Sequence, residues 1–240
     1  MLQILSAIST TPRMPRFHKG SIGFSLETSQ NDTMEGIAYE YRAANPEASH
    51  SYLYGSVAGL LRDIPPGTKV LDLGCGNGTF LSNFRDRGWS LYGSDFSPTG
   101  IDFAKRTFPE IEFFLADASA PTGDILERVG HVDVIISTEV IEHLYDPRSF
   151  LHNAHSLLKP SGQLVLTTPY HGYLKNLMLA LTGKLDQHFT VLWDHGHIKF
   201  WSKKTLRAVL EETGFTDIHF VGSGRLPWLW KSIVVSARRK

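Results

Sequence analysis

Between residues 69 and 167 short apolar runs alternate with stretches of helical spacing, and few architectures accept that rhythm. The pattern predicts strands over 69–73, 90–94, 112–116, 132–137 and 163–167, with helices over 79–87, 99–108 and 147–158 between them. The run Val132-Asp133-Val134-Ile135-Ile136-Ser137 is almost continuously apolar, as a strand covered on both faces of a parallel sheet must be. Strands that alternate with helices in this way build an open, doubly wound, Rossmann-like α/β sheet. A helix over 45–63, opened by Asn45-Pro46 and closed by Pro65-Pro66-Gly67, precedes it. After a helix over 202–213, stopped by Gly214, strands over 217–221 and 233–236 are joined by a loop too short for a helical crossover. They are expected to form an antiparallel hairpin at the sheet edge, completing seven strands.

Composition narrows the function classes. With 240 residues, 42% hydrophobic and 20% charged, the chain can bury a substantial core, which excludes collagen, coiled coil and wholesale disorder. Lys and Arg number 24, as do Asp and Glu, so no global field holds a polyanion and nucleic acid is not the expected partner. Cys75 is the single cysteine, which fits a reducing compartment and a cytoplasmic location. No apolar run reaches the roughly 18 residues of a membrane span. Before Glu27 the charged residues are Arg13, Arg16 and Lys19, set among Ser and Thr. Residues 1–34 are expected to be a disordered leader, and 35–240 the folded domain.

The first strand runs into Asp72-Leu73-Gly74-Cys75-Gly76-Asn77-Gly78, immediately before a helix. Glycines there permit positive φ and close approach of a ligand to the backbone. Their G-x-G-x-G spacing differs from the dinucleotide fingerprint, and Asp72 would repel a pyrophosphate, so the ligand should be nucleoside-like with positive charge nearby. The segment resembles the first motif of the class I S-adenosylmethionine-dependent methyltransferases. That resemblance implies Gly74, Gly76 and Gly78 under the methionine and ribose, with Cys75 among them, and Asp72 near the ammonium and sulfonium. It also implies Asp95, in Gly93-Ser94-Asp95-Phe96, on the ribose hydroxyls, Asp117 with Ala118 at the adenine amino group, and Phe96 on the adenine face. The ordinary reading makes each aspartate a helix cap, Phe96 a core side chain and Cys75 a small buried residue.

A second constellation follows the fourth strand in Glu139-Val140-Ile141-Glu142-His143. The three-to-four spacing on a turn entering a helix is expected to bring Glu139 beside Glu142 and His143. Downstream, His195-Gly196-His197 adds imidazoles, and such a set accepts Mg²⁺, Mn²⁺ or Zn²⁺. The pattern is similar to the ubiquinone-biosynthesis O-methyltransferases and to small-RNA 2′-O-methyltransferases. The resemblance implies Glu139, Glu142, His143 and His197 or His195 as metal ligands. In metal-free relatives of this kind it implies instead Glu139 against cofactor or substrate, with His143 packing or acting as base; His197 is the other candidate base. An insertion over about 169–201 should act as a lid, where Leu174, Leu177, Met178 and Leu181 share one face of a short helix. That stripe packs on the domain, covers an apolar substrate or touches a membrane surface. Tyr39, Tyr41, Tyr52 and Tyr54 are candidates to close the pocket. The expected activity is methyl transfer to a hydroxyl on an apolar or aromatic small molecule. The alternatives are RNA 2′-O-methylation and a non-catalytic cofactor-binding subunit.

Overall fold

The computed structural model describes residues 49–189 and 196–240, all within the unit Ile37–Lys240. The expected leader over 1–34, Tyr39, Tyr41, the start of the first helix and His195 lie outside these residues. In chain order the elements are α1 (His50–Leu60), β1 (Lys69–Leu73), α2 (Thr79–Ser82), β2 (Ser90–Asp95), α3 (Pro98–Thr107), β3 (Glu112–Leu115), α4 (Gly123–Val129), β4 (Val132–Thr138), α5 (Pro147–Leu157), β5 (Leu158–Pro169), α6 (Tyr173–Leu181), α7 (Leu185–Phe189), α8 (Lys203–Glu212), β6 (Phe215–Ser223) and β7 (Ser232–Arg239). Turns of 3₁₀ helix cover Arg85–Arg87 and Ile141–His143.

The strands form one seven-stranded sheet in the order β3-β2-β1-β4-β5-β7-β6. β1 to β5 pair in parallel, and β7 runs antiparallel to both β5 and β6. The alternation of side chains along each strand divides the core into two layers. Leu71, Leu73, Ile135, Leu164, Leu166, Ile233 and Val235 pack with α4, α5 and α8 on one face. Val70, Val134, Ile136, Val165 and Val234 pack with α1, α2 and α3 on the other. The expected doubly wound sheet with its terminal hairpin is therefore what the chain builds.

Local chemistry sets the helix ends. The Ser97 hydroxyl accepts from Gly100 N at 3.2 Å and Pro98 opens α3. The Asp146 carboxylate accepts from Arg148 N and Ser149 N at 3.1 and 3.2 Å, with Pro147 opening α5. The helix expected over 79–87 is broken, because the Asn83 side chain donates to the carbonyls of Thr79 and Phe80 and closes α2 early.

Gly78 shows why the loop after β1 needs glycine. Its φ is +75°, and a Cβ there would lie 2.6 Å from the Phe113 ring and 3.0 Å from Ala104. A left-handed Ala and an overpacked contact together should lower unfolding free energy by about 2–4 kcal/mol in Gly78→Ala. Urea denaturation of parent and variant measures this, and equal midpoints would contradict it.

Candidate active site

The loop after β1 folds back on the end of β2. Gly74 N and Cys75 N both donate to Ser94 O, at 2.8 and 2.9 Å, and Gly76 N donates to Asp95 Oδ2 at 2.8 Å. Asp95 Oδ1 accepts from Ser97 N at 2.8 Å, so the carboxylate is fixed from two directions. Each carboxylate oxygen has a second lone pair, which leaves Asp95 able to accept from a vicinal diol. Burial raises its pKa, while the amides of Ser97, Gly76 and Phe96 act the other way.

Asp72, beside this loop, is fully buried, and neither carboxylate oxygen has a hydrogen-bond partner among the described residues. Burial, and then the charge of Asp95, push its pKa up to about 8. A buried carboxylate of this kind asks for a cation. Cys75 is buried, its thiol pushed well up by burial and by Asp72 and Asp95, which fits the reading of a packed residue. Phe96 is 52% exposed and so belongs to no core, which leaves a ring face open beside Asp95. Asp117 is exposed, and its Oδ1 accepts from Ser119 N at 2.7 Å, a turn-forming bond that leaves its other oxygen available. Ala118 lies next to it and accepts from the Asn153 amide through its carbonyl at 2.9 Å.

At the end of β4 the ligating atoms of Glu142, His143 and His197 lie within 4.8 Å of one another. The two imidazoles meet edge to face, with centroids 4.9 Å apart. Glu142 is buried and accepts from the Thr168 hydroxyl at 3.1 Å, while its backbone carbonyl receives Ile198 N and Lys199 N at 2.9 Å. These backbone bonds seat His197 beside His143. Burial, then the neighbouring His143 and His188, hold His197 down at about 4, so its imidazole is neutral near pH 7.

Glu139 stands outside that trio. Its φ is +54°, unusual for a residue with a side chain, so the turn of helix that spacing alone suggested does not begin until Ile141. Its carboxylate accepts from the Thr167 hydroxyl at 2.9 Å and from the Ser232 hydroxyl at 3.4 Å. Ser232 in turn is 3.3 Å from the Tyr52 hydroxyl. Sequence reasoning did not find Thr167, Thr168 or Ser232. The adjacent threonines at the C-terminal end of a central strand were the available signal.

In α6 the apolar stripe faces outward, with Leu174, Leu177, Met178 and Leu181 all exposed, and the buried residue is Lys175. The Lys175 ammonium donates to Tyr170 O at 2.8 Å and to Lys231 O at 3.3 Å, which ties the helix to the ends of β5 and β7. Tyr54 is exposed.

A family model described as a methyltransferase domain matches residues 47–220. The chain belongs to the methyltransferase domain family. The ubiquinone biosynthesis O-methyltransferase of Ruegeria sp. (strain TM1040) is 27% identical to it over 187 residues, 75% of each chain. The enzyme of the same name from Vibrio campbellii (strain ATCC BAA-1116) is 26% identical over 159 residues, 65% of this chain and 67% of its own. Among solved structures, magnesium protoporphyrin IX methyltransferase from Synechocystis PCC 6803 with bound SAH superposes with a TM-score of 0.59 at 19% identity, covering 80% of this chain and 84% of that one. A methyltransferase in complex with the Haloferax volcanii Trm112 activator gives 0.58 at 18%, covering 78% and 90%. These superpositions share the fold, which is that of a class I S-adenosylmethionine-dependent methyltransferase. In this methyltransferase the described residues include no helix long and apolar enough to cross a membrane.

Proposed function

We propose that this methyltransferase transfers the methyl group to a hydroxyl of a small apolar or aromatic acceptor, with Glu142, His143 and His197 beside the reacting oxygen. The observation that carries the reading is the convergence of those three side chains within 4.8 Å at the end of β4, next to the strand bearing Asp72. The names of the relatives, O-methyltransferases at 26–28% identity, support it.

When bound, S-adenosylmethionine supplies an electrophilic methyl carbon on a positive sulfur. Asp72 would hold its cationic methionyl end, Asp95 the ribose diol, Phe96 the adenine face and Asp117 the adenine amino group, with Gly74, Cys75, Gly76, Gly78 and Ala118 contributing backbone around them. Glu139, locked onto Thr167, would face the cofactor or acceptor rather than a metal. Transfer breaks the carbon–sulfur bond and forms a carbon–oxygen bond, so the protein must align three atoms, exclude water and remove the hydroxyl proton.

Proton removal is the task of the trio. One carboxylate and two imidazoles form a borderline donor set, suited to Zn²⁺ or Mn²⁺ more than to Mg²⁺. A cation there would lower the pKa of a coordinated hydroxyl. His197, neutral because its pKa lies near 4, is a better ligand than a base at pH 7. In this reading the outward stripe of α6 is where an apolar acceptor, or the membrane surface that dissolves it, meets the protein.

A labelled methyl donor offered with ring hydroxyls, amines, carboxylic acids and short RNA tests the acceptor class. Label in a ring hydroxyl is expected, and label in RNA or in amines alone would overturn the proposal.

Asp72 gives a second test. At pH 7 a carboxyl with a pKa of about 8 is mostly protonated, and a bound cation favours its ionised form. Cofactor binding should therefore release close to one proton, and affinity should rise with pH toward 8. Calorimetry with S-adenosylhomocysteine in buffers of different ionisation enthalpy measures the release, which Asp72→Asn should abolish. Equal proton release in parent and variant would remove Asp72 from the cationic end.

A further inference from the structure

The lid helices hold polar atoms that the methyl-transfer site leaves unused. His171 follows β5 and is 7% exposed, yet among the described residues its buried Nδ1 has no hydrogen-bond partner. Two more buried atoms that find no partner among the described residues come from the lid, Asn176 Oδ1 on α6 and His188 Nε2 on α7. Asn176 favours the charged form of His171, but the two do not reach hydrogen-bonding geometry. Orphaned buried polar atoms are few in native proteins, and several in one place mark a site for a polar ligand group.

Their surroundings are aromatic. His171 lies 5.1 Å from the His188 ring, 5.8 Å from Phe189 at 14° between planes, and 4.9 Å from Phe200 at 72°. Phe189 and Phe200 themselves meet edge to face at 5.0 Å, and Phe200 is 47% exposed, so the box has an open side. The box is also continuous with the trio. His171 N donates to Trp201 O at 2.9 Å, and three residues before Phe200 stands His197, whose neighbours Ile198 and Lys199 donate to Glu142 O.

The charge of the box selects among ligands. After burial, the Lys175 ammonium opposes a proton on His171, and Lys175 and Arg225 oppose one on His188. Neutral imidazoles in a positive field suit an oxygen-bearing substituent that is neutral or anionic, and disfavour an ammonium.

We propose that His171, Asn176 and His188, walled by Phe189 and Phe200, form the acceptor-specificity subsite and read a hydroxyl, carbonyl or carboxylate on the acceptor ring. This rests on the reading of the site as one for a small hydroxyl-bearing acceptor. The subsite holds one end of the ring while the trio faces the hydroxyl that takes the methyl group.

Calorimetry on the full chain saturated with S-adenosylhomocysteine tests it with three probes, namely catechol, protocatechuate and dopamine. Protocatechuate should bind at least about tenfold more tightly than dopamine. His171→Leu and His188→Leu should each weaken protocatechuate by about tenfold or more and leave S-adenosylhomocysteine affinity unchanged. His171→Asn, which returns a hydrogen-bonding group near the Nδ1 position, should restore most of the loss, as a purely structural histidine would not allow. Equal affinity for protocatechuate and dopamine, undiminished binding in His188→Leu, or no binding of any probe by the parent would overturn the subsite. Methyl transfer to a ring hydroxyl with an unaltered KM in His188→Leu would defeat this inference alone. Transfer to RNA with every ring silent would defeat the reading beneath it.

Discussion

His143→Ala should lower kcat for transfer to a ring hydroxyl by about two to four orders of magnitude while leaving S-adenosylhomocysteine affinity unchanged. His143 is exposed, so its loss should leave the core and the glycine loop intact. It is also the outermost member of the trio, and Glu142, buried against Thr168, fixes the other side. Steady-state rates before and after exhaustive chelation separate its two possible roles. If a cation is held, chelation of the parent should lower the rate to that of the variant, and Zn²⁺ or Mn²⁺ should restore it. A parent that keeps full rate after chelation, with His143→Ala still slow, removes the cation and leaves His143 as a metal-free base. A variant as fast as its parent contradicts both roles.

Asp95→Ala should raise the cofactor dissociation constant by about one to two orders of magnitude, the loss expected for a pair of charge-assisted hydrogen bonds. The same carboxylate accepts from Gly76 N and Ser97 N, so the alanine variant also leaves two amides without their acceptor. Asp95→Asn keeps one oxygen to accept while discarding the charge, and its affinity should fall between parent and alanine variant. Calorimetric titration with S-adenosylhomocysteine measures all three. Unchanged affinity in Asp95→Ala would remove the residue from the ribose.

How far the sequence foretold this protein depends on whether a feature was local. The β1 strand, the glycine loop and the bodies of α3 and α5 were legible because each is written in neighbouring residues, whereas the caps Ser97 and Asp146 emerged only with the structure. Helix α4 escaped notice, since only Ile125 and Val129 in its seven residues are buried and they give too short a pattern. The trio was legible in part. Glu142 and His143 share a short turn, but the positive φ of Glu139 turns its side chain toward Thr167, and no spacing rule reveals a left-handed residue. His197 reaches His143 only through backbone bonds from Ile198 and Lys199 to Glu142, a long-range pairing invisible to periodicity. For α6 the amphipathic pattern was legible, and which of the three readings of its stripe applied was not. Periodicity finds a stripe, whereas the two carbonyls that receive Lys175 decide which face the domain covers.

One measurement bears most directly on the claim that this methyltransferase methylates a hydroxyl. The full chain is incubated with S-adenosylmethionine labelled at the methyl carbon and with protocatechuate, and the product is examined by carbon NMR. Label is expected in a methyl ether on a ring oxygen, formed slowly or not at all by His143→Ala. Label on a ring carbon or in a carboxylate ester, or label transferred to RNA while the ring stays unlabelled, would contradict it.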